Sequence, residues 1–134
     1  MSSSAIEVVA LALQRTSDKK FLLARRGPDQ TGAGHWEFPG GKVEKDEQQK
    51  AALSREIDEE LAFKLNPEKL SFVASQSFQY PEKLVNLHLW KFVTDQTDFN
   101  FQLSEHDQVA WCLPQEMRAY ELSPGDVFFV DKLL

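Results

Sequence analysis

Residues 36–63, WEFPGGKVEKDEQQKAALSREIDEELAF, contain the change of pattern that decides the fold. Trp36-Glu37-Phe38 reads as a short strand, followed by Pro39 and the pair Gly40-Gly41. From Asp46 to Leu61 the period lengthens: Leu53, Ile57 and Leu61 recur every four residues on one face, while Glu56, Glu59 and Glu60 occupy another. This spacing predicts an amphipathic helix of about four turns, with Asp46 as N-cap and Glu47 favourable to the helix dipole in the first turn. Glutamates at i, i+3 and i+4 share a face and repel by a few tenths of a kcal/mol per pair. Such a face needs open solvent or bound cations. Carboxylate ligands with no nearby Cys or His cluster suit Mg²⁺ or Mn²⁺ better than zinc. Charge spacing alone favours a merely solvated face; the flanking residues carry the argument further.

Gly40-Gly41 leaves a loop free of Cβ atoms, so its backbone can approach a metal or phosphate closely. Arg55, four residues before Glu59, is placed to orient it by a charge-assisted hydrogen bond. Upstream, Ile6 to Leu13 and Lys20 to Ala24 read as strands joined at Thr16-Ser17-Asp18, and residues 27–35, with three Gly and one Pro, read as a loop. Downstream, Leu70 to Phe78 and Leu84 to Val93 read as strands around Pro81-Glu82-Lys83, and Val109 to Leu113 as another. Pro114-Gln115-Glu116 opens a short helix, and Pro124 to Leu134 suggests a second, in which Val127 to Val130 fits strand or helix. Strands interrupted by helices of this size indicate an α/β sandwich with a mixed sheet.

At 134 residues, 42% hydrophobic and 27% charged, the chain reads as one domain over residues 1–134. The net charge of −6 argues against extended nucleic-acid binding, which calls for a basic surface. Met1 to Ser4 lacks the basic start of an export signal, and the apolar run Val8 to Leu13 is too short to cross a bilayer, so a cytoplasmic protein with no membrane association is expected. The single Cys112, between Trp111 and Leu113, reads as core.

The central segment resembles the Nudix box: Gly, five intervening residues, Glu, seven more, then Arg-Glu-aliphatic-x-Glu-Glu-x-Gly-aliphatic. These positions are Gly41, Glu47, Arg55, Glu56, Ile57, Glu59, Glu60, Ala62 and Phe63, and eight of the nine fit when Phe63 is taken as apolar. The departure is Ala62, where the pattern has Gly; if the helix ends there with positive φ, Ala costs on the order of 1 kcal/mol. The Ile6 to Leu13 strand, Ala24-Arg25-Arg26, residues 36–42 and Ala110-Trp111 are similar to the MutT-type branch, which cleaves nucleoside triphosphates, often oxidised ones.

The resemblance implies a Nudix fold, an α/β/α sandwich with a mixed central β-sheet. It also implies Mg²⁺-dependent attack of water within a triphosphate, releasing nucleoside monophosphate and pyrophosphate, with Mn²⁺ a possible substitute. By position, Glu56, Glu59 and Glu60 would bind metal with the Gly40 carbonyl, and Arg55 would orient a carboxylate. Glu105 matches a loop glutamate that serves as a further ligand or base, or else is an ordinary exposed acid. Arg26, Glu37 and Lys42 are candidate substrate contacts, although Arg26 and Lys42 also fit as surface cations.

Ile6 and Val8 with Phe78 and Tyr80 could sandwich a base; Phe78 reads more readily as core. Asp126 either reads the base or caps the last helix. An ionised carboxylate there would favour a donor edge, as on cytosine, adenine or an 8-oxo-purine, over unmodified guanine. The expected substrates are therefore 8-oxo-dGTP and cytosine nucleotides, acted on by a monomer or weak dimer. The alternatives are removal of pyrophosphate from 5′-triphosphorylated RNA and a non-catalytic nucleotide sensor; the intact glutamate set speaks against the sensor.

Overall fold

The computed structural model describes residues 5–134; Met1 to Ser4, read above as lacking an export signal, lie outside them. Its centre is β1 (Ile6–Arg15), which runs parallel to β6 (Lys83–Thr94) over its whole length. An outer strand, β5 (Ser71–Tyr80), pairs antiparallel with β6 and forms one edge. On its other side β1 pairs antiparallel with β2 (Phe21–Arg26) and β4 (Gly40–Lys42). Two further strands, β3 (Trp36–Glu37) and β7 (His106–Cys112), pair with β2. Parallel and antiparallel pairs in one sheet make it mixed.

Alternation along β1 explains the layers. Val9, Leu11 and Leu13 bury against Ala52, Leu53, Ile57 and Leu61 of α1 (Gln49–Leu61), while Ala10 and Ala12 join a second core with Phe129 and Val130 of α2 (Val127–Leu133). A strand covered on both faces has no polar side, and Val8 to Leu13 is accordingly apolar throughout. The sandwich expected from the sequence is present. Cys112 is buried core, and burial pushes its thiol up to about 11. Among the described residues no helix is long and apolar enough to cross a membrane.

Several boundaries move. The helix begins at Gln49, and its N-cap is Gln48 rather than Asp46, which adopts a left-handed φ of 64° and so cannot take the extended cap conformation. Glu47 falls before the helix, where its carboxylate is held by Arg55 and by the Glu44 amide. Ala62 does end the helix in the left-handed region, with φ 55° and ψ 38°, its amide donating to the Asp58 carbonyl. Pro114–Ala119 and Pro124–Asp126 are 3₁₀ turns, and the ambiguous Val127 to Val130 is helical. The loop reading of Gly40-Gly41 is corrected: these residues form β4 with Lys42.

Candidate active site

The short strand β4 lays the double glycine across β1, with Gly40 opposite Ala10 and Gly41 opposite Val9. A Cβ on Gly40 would lie 1.9 Å from the Val9 carbonyl oxygen; on Gly41 it would lie 2.3 Å from the Glu56 carboxyl carbon. The absent side chains thus admit parts of the protein itself: the β1 backbone under Gly40 and the Glu56 carboxylate against Gly41.

Above this strand the three helix glutamates sit at graded depth. The Glu59 side chain is 61% exposed, that of Glu56 15%, and Glu60 as a residue is only 6% exposed. Burial, reinforced by the charges of Glu105, Glu37 and Glu56, pushes the Glu60 carboxyl up to about 9, although the Gly40 amide hydrogen bond opposes the shift. Its Oε1 has no hydrogen-bond partner. Glu56 is also raised by burial, with the neighbouring Arg55 working against it.

Arg55 spans the site. Its Nε and Nη2 donate to Glu47 at 2.9 Å each, Nη1 donates to Glu56 at 3.0 Å, and Nη2 also reaches the Lys42 carbonyl at 3.1 Å. Glu59 lies 3.7 Å away, so the helix glutamate that Arg55 chiefly orients is Glu56, not Glu59. The double hydrogen bond from Arg55 lowers Glu47 to about 2. This ties the helix to the turn before it, so the cation acts as a brace for the carboxylate wall.

The donor set fits a hard divalent cation: a buried carboxylate raised by neighbouring acids, with one oxygen unpartnered, is stabilised when a positive charge faces it. Among the described residues no three His, Cys, Asp or Glu side chains are grouped so as to hold a metal ion among themselves. An open wall of acids suits Mg²⁺, which keeps water and phosphate oxygens in much of its shell.

Facing this wall is a second group. Glu37, on β3, accepts from Arg26 Nη1 at 3.1 and 3.2 Å and from His106 Nε2 at 2.9 Å. Its charge raises both Glu60 and Asp126, so it is within electrostatic reach of the helix acids and of the C-terminal turn. Glu105 is exposed, its backbone carbonyl accepting from the Gly27 amide at 3.0 Å, and its charge reaches Glu56 and Glu60. Lys42 is exposed beside the wall.

Asp126 is buried, and its Oδ2 accepts from the Phe38 amide at 3.0 Å. It makes no side-chain cap bond, so the capping alternative is set aside: Phe38, just past the end of β3, claims the carboxylate instead. Burial and the Glu37 charge push Asp126 well above the usual carboxylate range. That shift works against the ionised Asp126 expected from its residue type; a protonated carboxyl would offer one donor and one acceptor. Tyr80 Oη accepts from the Gly125 amide at 3.1 Å, which places the ring beside the Asp126 turn. Ile6, Val8, Phe78 and Tyr80 pack on the same core cluster, so they gather on the α2 face as one half-buried apolar surface.

Sequence reasoning missed His106. The sequence pattern marks the strand only from Val109, whereas it runs from His106, which sets a polar ring opposite Arg26.

Metal-assisted hydrolysis is the chemistry open to a carboxylate wall braced by arginine in an α/β/α sandwich. The family model described as "NUDIX domain" matches residues 5–133, and the chain belongs to that family. It is 41% identical over 124 residues to the CTP pyrophosphohydrolase of Escherichia coli K12, covering 91% of this chain and 86% of the relative. With the 8-oxo-dGTP diphosphatase of the same organism it shares 29% identity over 82 residues, covering 61% and 62% of the two chains. The solution structure of the Escherichia coli ORF135 protein superposes with a TM-score of 0.78 at 38% identity, covering 96% of this chain and 88% of that one.

Proposed function

We propose that this protein is a Mg²⁺-dependent nucleoside triphosphate pyrophosphohydrolase of the cytoplasmic nucleotide pool, preferring cytosine nucleotides and releasing nucleoside monophosphate and pyrophosphate. The observation that carries the reading is the buried Glu60, unpartnered at Oε1 and forced up to about 9 in a wall with Glu56 and Glu59. A group this costly to ionise is retained where cationic chemistry requires it. Bound Mg²⁺ would acidify water and neutralise phosphate oxygens. Glu56, Glu59 and Glu60 would hold it, with the Gly40 carbonyl and Glu105 as further ligands.

The protein's own part is placement. Arg55 fixes Glu56 against the Gly41 backbone, and Arg26, clamped by Glu37, presents its remaining donors toward substrate. A neutral Asp126 carboxyl can give its proton to N3 of cytosine while accepting from the exocyclic amine. The cytosine preference is supported by the CTP-cleaving relative, which aligns over nearly the whole chain. A second substrate, 8-oxo-dGTP, is supported by the same carboxyl edge, since O6 and N7–H of the oxidised purine present the matching acceptor and donor.

The test is a panel of CTP, dCTP, 8-oxo-dGTP, dGTP and UTP with Mg²⁺, comparing kcat/KM and identifying the phosphate products. Pyrophosphate release, fastest with cytosine and lost in Glu59→Gln, is expected. Release of orthophosphate, or no turnover of any triphosphate, overturns the reading.

A further inference from the structure

The imidazole of His106 is enclosed almost completely, with its side chain 2% exposed, yet its Nδ1 has no hydrogen-bond partner. A position selected only for packing would hold an apolar residue and avoid that unsatisfied atom. The ring's single polar contact is Nε2 to Glu37 Oε2 at 2.9 Å. Because a carboxylate so placed accepts, Nε2 carries the proton and donates. Glu37 in turn holds Arg26 Nη1 with both oxygens, and Arg26 Nε donates to the Thr31 carbonyl. Exposure rises along this chain, from 2% at His106 to 16% at Glu37 and 28% at Arg26, so the linkage runs from the interior outward to the face where substrate arrives.

The backbone is shaped to seat the ring. The β2–β7 ladder is irregular between Arg25 and Arg26, which brings His106 opposite Arg26. Beside it, Gly27 bonds to the Glu105 carbonyl, and a Cβ on Gly27 would come within 2.8 Å of that oxygen. One short segment therefore fixes Glu105 by its backbone and Glu37 by the next side chain.

We propose that His106 is a positioning residue that holds Glu37, and through it Arg26, in the orientation the nucleotide site needs. It touches neither phosphate nor base; its effect passes through the Glu37 carboxylate. The inference rests on the pyrophosphohydrolase reading for its kinetic consequence, and on geometry alone for the linkage.

Substitutions separate the donor from the bulk. In His106→Gln the amide nitrogen reaches the place of Nε2, whereas in His106→Asn it reaches only that of Nδ1. With CTP and Mg²⁺, His106→Asn should raise KM by about fivefold or more with a smaller change in kcat, and His106→Gln should stay within about twofold of the parent. In a Glu37→Gln background, where the carboxylate is gone, His106→Asn should add less than about twofold. Equal KM in the parent and both folded variants, equal losses in Asn and Gln, or effects that multiply with Glu37→Gln overturn the proposal.

If the unsubstituted protein turns over no triphosphate, the functional reading fails, and the linkage is still decided by the Arg26 Nη1–H resonance in ¹⁵N NMR, the group that donates to Glu37. A shifted, slowly exchanging signal in the parent and His106→Gln that collapses to the free-arginine position in His106→Asn supports it; the same signal in all three, or a collapse in both variants, overturns it. Should His106→Asn not fold, the resonance in His106→Gln and its KM against Glu37→Gln give the decision: retention supports the linkage and loss refutes it.

Discussion

Replacing Glu60 with Gln should abolish activity and yet stabilise the metal-free protein at neutral pH. In the unfolded chain Glu60 ionises from its ordinary 4.5; in the fold, burial and three neighbouring acids hold the proton to about 9. An acid raised by folding contributes its full stability below the unfolded value and loses it as pH climbs toward the folded one. Each pH unit in that window removes about 1.4 kcal/mol, so at pH 7.5 the metal-free protein has lost about 4 kcal/mol relative to pH 4.5. Gln has nearly the same shape and does not titrate, so the variant is spared this loss. At roughly 3 °C per kcal/mol for a chain of this size, the variant's Tm in EDTA should exceed the parent's by about 12 °C at pH 7.5, with the gap closing near pH 4.5. Thermal unfolding monitored by circular dichroism between pH 4.5 and 8.5 measures it. Added Mg²⁺ should close the gap from the other side, raising the parent and leaving the variant unmoved. Parallel Tm profiles for the two proteins across the range would refute the assignment of Glu60 as a suppressed carboxylate awaiting a cation.

Two further substitutions test the frame of the site. Ala62→Gly should shift the urea midpoint upward by the equivalent of about 1 kcal/mol, because the residue sits at φ 55° where a side chain is strained; an unchanged midpoint would mean the helix end relaxes. Gly41→Ala would drive a methyl into the Glu56 carboxylate, so it should cost about a hundredfold or more in kcat/KM with little loss of Tm, whereas Gly40→Ala meets rigid β1 backbone and should lower Tm strongly. If the two alanines behave alike in both assays, the division between a strand contact and a carboxylate contact is wrong.

The parts of the fold legible in the sequence are those specified by local repetition. Leu53, Ile57 and Leu61 mark the buried face of α1, and the apolar run in β1 marks a strand covered on both sides. β4 escaped because Gly-Gly-Lys has no strand propensity of its own; β1 supplies the pairing. The helix starts later than its composition suggests for a related reason. Asp46 has the composition of a cap, but Arg55, eight positions beyond Glu47, fixes the preceding turn in another shape.

The site divides along the same line. The helix acids are spaced by the helix itself, so their grouping could be read from one segment. The groups proposed to face or frame the base come from distant segments: the Asp126 carboxylate meets the amide of Phe38, 88 positions earlier in the chain, and the His106 ring meets Glu37 across 69. No periodicity links such pairs. Burial then alters their chemistry in a way composition cannot express, raising the Asp126 carboxyl well above the ordinary carboxylate range. On the proposed function, phosphate chemistry would depend on a short contiguous segment, while base selection would depend on several long-range contacts. Substitutions in the pocket should therefore change which triphosphate is cleaved, and substitutions in the helix acids should change whether any is.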